Sequence, residues 1–183
     1  AQIGKAFRNE IAPRDFVFRS REFEQLEIEY FIRPDEWEKE FAAWQEAQII
    51  FSDAIGLDRA KVHQIDVAAA DRAHYSKHSV DTEFDYPFGQ KELWGLAYRT
   101  DFDLSAHSKA SGVELAYLDD STGERFTPHV IEPSFGVDRT VLAILASAYT
   151  EDEIGGEPRT YLKFNKSVAP IKAAVFPLLK NKP

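Results

Sequence analysis

The stretch of sequence that decides the fold runs from residue 18 to residue 31 and reads FRSREFEQLEIEYF. Side chains alternate between two faces in a β-strand, and this stretch alternates in character with the same period of two. One face carries Arg19, Arg21, Phe23, Gln25, Glu27 and Glu29. The other face carries Leu26, Ile28 and Tyr30, which can be buried. A strand with a whole face of arginines, a glutamine and glutamates indicates a binding function beyond a structural one.

The residues before this stretch predict its partner strand. Residues 6–11 read AFRNEI and place Arg8 and Glu10 on one face of a short strand. Residues 12–15 include a proline and an aspartate, which are typical of a turn. The sequence therefore predicts an antiparallel hairpin, with one long return strand over residues 17–32.

The rest of the chain predicts further strands with a few helices. Apolar residues at helical spacing, such as Trp37, Phe41, Trp44 and Phe51, predict a helix over residues 36–51. Two more helices are predicted over residues 71–77 and 137–149. Strands are predicted over residues 62–70, 82–86, 93–98, 116–118, 126–131, 160–164 and 168–179. Antiparallel strands with few helices indicate an α+β domain.

Composition narrows the possible functions. The 183 residues are 44% hydrophobic and 29% charged, which is typical of a globular chain with a sizeable core. No apolar run reaches the roughly 20 residues of a membrane helix, and no signal peptide is evident. A net charge of -9 argues against broad nucleic-acid binding, and the absence of cysteine excludes disulfides and thiolate zinc sites. The chain begins at Ala1 and contains no methionine, so we expect it to be a piece of a longer protein or an engineered version of one.

A second charged run, EPSFGVDR at residues 132–139, again sets an arginine close to a carboxylate. Arginines beside carboxylates suit a ligand with an anionic and a cationic end, such as a nucleotide phosphate next to an ammonium group. The chain has no glycine-rich phosphate loop, so side chains would have to hold the phosphates. The candidates are Arg8, Arg19, Arg21 and Arg139. Ordinary surface ion pairs are the alternative for any single one of them.

Two further clusters are weaker candidates. His74 and His78 stand four apart, as metal ligands on a helix do, but no third ligand accompanies them. Asp101 and Asp103 are able to help hold Mg²⁺ or an ammonium group, although the pair alone is a weak signal.

Short runs in a fixed order carry a family resemblance. Residues 6–11 resemble motif 2 of class II aminoacyl-tRNA synthetases, and residues 136–139 (GVDR) resemble motif 3. The runs REFEQLEIEYF at 21–31, AHYSK at 73–77, RTDFDL at 99–104 and VIEPS at 130–134 are similar to homodimeric glycyl-tRNA synthetases in particular. The similarity covers essentially the whole chain. It implies a class II antiparallel β-sheet flanked by helices.

The resemblance implies a substrate set and a cytoplasmic enzyme without membrane attachment. The expected substrates are glycine, ATP with Mg²⁺, and tRNA(Gly), and the family works as a homodimer. Arg8 and Arg139 would be the catalytic residues, holding the α-phosphate and the γ-phosphate end of ATP. The full ATP-binding set would be Arg8, Asn9, Glu10, Phe18, Arg19, Ser20, Arg21, Glu22, Phe23, Glu92, Leu93, Gly136, Val137, Asp138 and Arg139.

A glycine pocket and a metal site follow from the same resemblance. The pocket would comprise Phe23, Glu24, Gln25, Leu26, Glu27, Arg99, Glu132, Pro133, Ser134, Phe135 and Gly136. Within it, Glu27, Glu132 and Ser134 would contact the ammonium group or exclude a larger side chain, and Arg99 would lie near the glycine carboxylate. Glu92 and Glu132 would hold Mg²⁺.

The resemblance also divides the chain. Residues 1–165 would form the class II catalytic core without motif 1, the dimer-interface element, and residues 166–183 would begin an anticodon-binding domain. Two other functions stay open at this point. One is a binding module that keeps the fold without turnover, and the other is a class II ligase for another small amino acid such as alanine or serine.

Overall fold

The protein is built on an antiparallel sheet of seven strands. The computed structural model describes residues 1–178. Strands β1 to β6 and β9 form this sheet, and β7–β8 and β10–β11 form two separate two-stranded sheets. The strands are β1 (Gln2–Phe7), β2 (Glu22–Glu27), β3 (Tyr30–Ile32), β4 (Val62–Asp66), β5 (His78–Tyr86), β6 (Gly89–Thr100), β7 (Tyr117–Leu118), β8 (Arg125–Phe126), β9 (His129–Gly136), β10 (Tyr149–Ile154) and β11 (Glu157–Leu162). The helices are α1 (Trp37–Ala54), α2 (Phe102–Ser111) and α3 (Val137–Ala148). The predicted α+β class is confirmed.

The late strand β9 lies in the middle of the sheet. The strand order is β1-β2-β9-β6-β5-β4, and β3 also pairs with β9. All of these pairs are antiparallel. Because successive side chains alternate, β9 and its neighbours present one apolar face to the core and one polar face to the opposite side.

The predicted hairpin forms, but its strands are shorter than the sequence pattern suggests. The first strand occupies Gln2–Phe7 instead of residues 6–11, and the return strand is divided into β2 and β3. The residues before β2 form a turn in which the Phe18 N–H donates to the Asp15 carbonyl. Ile28 keeps the register of the ladder and donates to the Pro133 carbonyl at 3.1 Å, but Pro133 has no N–H to donate in return. The turn that buries Phe18 and the missing donor at Pro133 explain why one continuous strand is wrong.

Helix α1 covers half of the apolar face. It was predicted over residues 36–51 and is confirmed, with its bounds moved to Trp37–Ala54. The Trp37 ring stacks on Tyr98 of β6 at a centroid distance of 4.5 Å, and Phe41 is buried. Tyr30, predicted to be buried, packs edge-on against Trp44 but keeps 38% of its surface exposed, because it lies at the margin of this contact.

A buried glutamine ties α1 to the middle of the sheet. Gln48 continues the apolar stripe of α1 and is 1% exposed. It donates to the Gly95 carbonyl at 3.2 Å and accepts from the Thr82 hydroxyl at 3.1 Å. A buried amide is tolerated when its hydrogen bonds are made, so this link fixes the height of Gly95 above the helix.

Helix α3 covers the other half of the apolar face and is confirmed, ending at Ala148. It packs against a cluster that contains Phe84, Trp94 and Phe135. The Trp94 indole N–H donates to the Thr140 hydroxyl at 2.8 Å, and that hydroxyl donates to the Gly136 carbonyl. These bonds set the junction between β9 and α3.

Three further sequence predictions are wrong. Residues 71–77 form turns, because the Arg72 side chain donates to the Val67 and Lys77 carbonyls and closes a loop there. Residues 168–178 form no strand, and residue 179 of that prediction lies outside the described residues. The predicted strand over 126–131 is divided between β8 and β9 at Pro128, which has no N–H to donate.

The remaining elements agree with the sequence in part. The strands predicted over 82–86 and 93–98 are confirmed as parts of β5 and β6. The strand predicted over 160–164 lies at Glu157–Leu162 and pairs with β10, which was not predicted as a strand. Within residues 1–178, no helix has both the length and the apolar character to span a membrane.

Candidate functional site

Residues 8–21 connect β1 to β2 and are called the hairpin loop. A cavity opens on the polar face of the sheet, where this loop meets β6, β9 and the start of α3. It encloses about 690 Å³ of empty space, its open mouth included. Arg8 and Arg139, separated by most of the chain, both line it. The sequence-predicted residues that line it are Arg8, Glu10, Phe18, Arg19, Ser20, Phe23, Glu24, Gln25, Glu92, Leu93, Ser134, Gly136, Asp138 and Arg139.

Arg139, in the first turn of α3, is held at one end of the cavity. Its Nη1 donates to the Glu92 carbonyl at 3.0 Å and to the Glu92 Oε2 at 3.2 Å. Its Nε donates to the Phe18 carbonyl at 3.3 Å, and its Cζ lies 4.2 Å from the Phe18 ring centroid. A guanidinium restrained in this way is a preorganised anion site, because little freedom is left to lose on binding.

Arg8 also lines the cavity, at the end of strand β1. Its Cζ is 5.1 Å from the Phe23 ring centroid, and its backbone N–H donates to the Arg21 carbonyl. The loop is further closed by Arg19, whose Nη1 donates to the Glu10 Oε2 at 3.1 Å. Two guanidinium groups therefore face one space that also holds an aromatic ring, a combination suited to a nucleotide.

A row of small and acidic residues crosses the sheet beside the arginines. Glu27 of β2 pairs with Ser134 of β9, Ser134 with Gly95 of β6, and Gly95 with Asp81 of β5. A Cβ added to Gly95 would lie 3.2 Å from the Ser134 hydroxyl oxygen. Gly95 and Ser134 both line the cavity, so at this point its wall carries a hydroxyl and no larger side chain.

Arg99 and Glu132 form a second polar cluster next to this row on the same face. The Arg99 Nη1 donates to the Glu132 Oε2 at 2.8 Å, and its Nε donates to the Asp103 Oδ2 at 2.8 Å. Burial alone would lower the pKa of Arg99, but these two hydrogen bonds outweigh burial and raise it. Arg99 stays charged, and its guanidinium offsets part of the negative charge of both carboxylates.

Several predicted site residues do not line the cavity. They are Asn9, Arg21, Glu22, Leu26, Glu27, Arg99, Glu132, Pro133, Phe135 and Val137. Leu26, Pro133 and Phe135 alternate with the polar residues and turn towards the core, so they support the cavity from beneath. Glu22 is exposed and pairs with Lys5 on β1. The period-two alternation of the sequence already separates the core-facing Leu26, Pro133 and Phe135 from the polar residues between them.

Three lining residues were not predicted: Val17, Trp94 and Gly95. Gly95 has a signal in the sequence, since it stands two residues before Ala97 and four before Arg99 on the polar face of β6. A glycine within a strand often marks a close approach of a ligand or another chain segment. Val17 belongs to the irregular loop, for which no periodicity exists.

The two predicted magnesium ligands differ in their fit. Among residues 1–178, no three His, Asp or Glu side chains are grouped so as to hold a metal. Mg²⁺ usually binds one or two carboxylates together with substrate phosphates, so a protein cage is not required. Glu92 fits that arrangement, because its half-exposed carboxylate lies on the cavity beside Arg139. Glu132 does not, since it is largely buried and does not line the cavity.

The structure adds one titratable residue that sequence reasoning missed. Asp81 lies half-buried next to Gly95 on the polar face. Its burial, together with the charges of Glu92 and Glu83, raises its pKa to about 6. The alternation of β5 would place it on this face, but its sequence neighbours gave no reason to select it.

Asp81→Asn is expected to stabilise the protein at neutral pH. The folded state binds the Asp81 proton more tightly than the unfolded chain, so this group favours folding most below about pH 4 and progressively less as the pH rises through about 6. We expect Asn to raise the free energy of unfolding at pH 7.5 by about 1 kcal/mol, since solvent screens a half-exposed group, and to change nothing at about pH 4.

Urea unfolding at both pH values measures this effect. Asp120→Asn, a substitution in the exposed β7–β8 loop, is the control and should be neutral at both. An equal gain for Asp81→Asn at both pH values would contradict the assigned cause.

Comparison with known proteins agrees with this geometry. The profile of the tRNA synthetase class II core domain (G, H, P, S and T) matches residues 1–148. The chain is 47% identical over 179 residues to a glycine–tRNA ligase of Caldanaerobacter subterraneus subsp. tengcongensis, covering 98% of the chain and 39% of that protein. It is 49% identical over 199 residues to the glycine–tRNA ligase of Thermus thermophilus, covering 100% of the chain and 39% of that protein.

A third relative gives the same result. The glycine–tRNA ligase of Chlorobaculum tepidum is 48% identical over 181 residues, which cover 98% of the chain and 38% of the relative. The chain thus spans about two fifths of the length of these relatives. The antiparallel sheet, the arginine pair on one cavity and the match over residues 1–148 lead to one conclusion: the chain belongs to the class II aminoacyl-tRNA synthetase core-domain family.

Proposed function

We propose that this chain carries the site at which glycine is activated by ATP, as the first step in charging tRNA(Gly). The observation that supports this most is the convergence of Arg8 and Arg139 on one cavity, whose lining includes Gly95 and Ser134. The relatives named glycine–tRNA ligase, at 47% and 49% identity, support the choice of amino acid.

In the proposed reaction, a carboxylate oxygen of glycine attacks the α-phosphorus of ATP in line with the leaving group. A bond forms between that oxygen and phosphorus, the bond to the bridging oxygen breaks, and pyrophosphate leaves with the electron pair. No general base is needed, because the glycine carboxylate is already ionised at neutral pH. The 3′-terminal ribose of tRNA would then displace AMP from the glycyl-adenylate.

The protein would contribute positioning and charge neutralisation. Arg8 would hold the α-phosphate, and Arg139 would hold the γ-phosphate end, about where Glu92 restrains it. Glu92 would hold Mg²⁺, whose positive charge, when it is bound, would offset that of the phosphates. Phe23, which lies on the cavity wall, would stack on adenine. The other proposed ATP contacts follow the hairpin loop and residues 136–139.

Selection of glycine would rest on size and charge. A Cβ added at residue 95 would lie 3.2 Å from the Ser134 Oγ, which indicates how little space lies between these residues. A clash with an alanine methyl discriminates better than a missing contact does. Glu27 and Glu132 lie on the same face and favour an ammonium group over a neutral ligand.

Glycine-dependent exchange of labelled pyrophosphate into ATP tests this proposal. The purified protein should support exchange with glycine and at least about 100-fold less with alanine or serine. ATP binding by calorimetry without any exchange would favour a binding module instead, and preference for alanine or serine would favour the other ligase. Four further statements stay predictions: the use of tRNA(Gly), the homodimer, the cytoplasmic location, and the domain division between residues 165 and 166.

A further inference from the structure

The loop between β4 and β5 covers the Arg99 cluster with an aromatic ring. Residues 67–77 form this loop, which we call the β4–β5 loop, and it contains the AHYSK run at 73–77. The Arg99 Cζ lies 3.9 Å from the centroid of the Tyr75 ring. At this distance the guanidinium is in cation–π contact with the ring face, so Tyr75 covers one of the two faces of the guanidinium.

The β4–β5 loop is firmly closed, so Tyr75 is held in place. Arg72 bridges the two ends of the loop, donating to the Val67 carbonyl at 2.9 Å and to the Lys77 carbonyl at 2.6 Å. The Lys77 N–H donates to the Tyr98 carbonyl at 2.8 Å, which fastens the loop to β6 next to Arg99. This closure explains why the residues form turns and not the predicted helix.

The remaining contacts leave only one edge of Arg99 available. Its Nε donates to Asp103 and its Nη1 to Glu132, and the side chain is 15% exposed. Within residues 1–178, the structure shows no hydrogen-bond acceptor for Nη2. Carboxylates bind arginine through its N–H edge, so the unused Nη2 is the group that can receive one.

We propose that Tyr75 is a positioning residue that holds the Arg99 guanidinium with its Nη2 edge directed to the carboxylate of glycine. This inference rests on the proposed glycine site. Asp103 and Glu132 fix Arg99 within its own plane, whereas the ring of Tyr75 opposes rotation out of that plane. Without the ring, Arg99 can tilt towards the vacated space and misalign its donor.

Tyr75→Ala is expected to raise the KM for glycine in pyrophosphate exchange by about tenfold, with the KM for ATP changed less than about twofold. Tyr75→Phe keeps the ring and should behave like the wild type. Tyr161→Ala is the matched control, because Tyr161 stacks on Arg159 at 4.5 Å in the β10–β11 hairpin. It removes the same kind of contact away from the cavity and should leave both KM values unchanged.

A second readout does not depend on turnover. In NMR spectra of protein with isotope-labelled arginine, the Nε–H signal of Arg99 can be assigned by its loss in Arg99→Lys. This signal should shift when glycine is added. Its ring-current shift should be lost in Tyr75→Ala only. An unchanged Arg99 signal in Tyr75→Ala, or equal rises in both KM values, would overturn the proposal. Absence of exchange in the wild type would overturn the proposed function instead, and the NMR result would still decide the role of Tyr75.

Discussion

Arg139→Ala is expected to lower glycine-dependent pyrophosphate exchange by about 100- to 1,000-fold, the usual loss when a preorganised transition-state contact is removed. Glu92 and the Phe18 ring hold the guanidinium in a fixed orientation. Water that fills the space in the alanine variant carries no charge and is not held in that orientation. Arg139→Lys should recover only part of the rate, because a lysine keeps the charge and loses the planar fork. Exchange kinetics at saturating glycine measure both variants.

The control for Arg139 lies in the β10–β11 hairpin. Arg159 pairs with Asp152 there, both side chains being partly exposed, and Arg159→Ala should change exchange less than about twofold. Thermal unfolding should be recorded for Arg139→Ala, since its contacts with the hairpin loop also hold that loop. A folded Arg139→Ala protein that kept most of the wild-type rate would contradict the role given to this residue.

Gly95→Ala is expected to weaken the use of glycine while leaving ATP binding nearly intact. The new Cβ would lie 3.2 Å from the Ser134 hydroxyl oxygen, and Gln48 holds the Gly95 carbonyl from below, so the strand cannot easily withdraw. Overpacking of this kind costs about 1–3 kcal/mol. We therefore expect the KM for glycine to rise by about 10- to 100-fold and the dissociation constant of ATP to change less than about threefold.

Gly4→Ala is a suitable control for this substitution. Gly4 lies in β1 and does not line the cavity, and an added Cβ there would meet only the Gln2 amide at 3.9 Å. Isothermal calorimetry for ATP and exchange kinetics for glycine separate the two effects. If Gly95→Ala weakened ATP and glycine equally, residue 95 would not mark the glycine end of the cavity.

The sequence predicts those parts of the fold that depend on periodicity. Helices α1 and α3 follow from apolar residues at helical spacing, and the faces of β2 follow from alternation. It does not predict the break at Ile28, because the partner that lacks an N–H, Pro133, is distant in the chain. Nor does it predict the β4–β5 loop, which the Arg72 side chain closes. Such partners are fixed by tertiary structure.

The same limit applies to the site. Arginines beside carboxylates suggest anion binding, and the resemblance to class II enzymes suggests which residues share a cavity. Neither source indicates that Glu132 is engaged by Arg99, nor that Asp81 has a raised pKa. Both depend on which side chains face each other across the sheet, which strand register decides.

The central place of β9 has a consequence for synthesis on the ribosome. This strand separates β2 from β6, yet it is completed only at Gly136, after both of its neighbours have emerged. Until then, the β1–β2 hairpin and the β4–β5–β6 meander can each pair internally but cannot join into one sheet. The long-range contact of Arg139 with Phe18 cannot form either. The nascent chain should therefore bind no nucleotide until α3 has been translated, and exposed strand edges would need protection by chaperones during that interval.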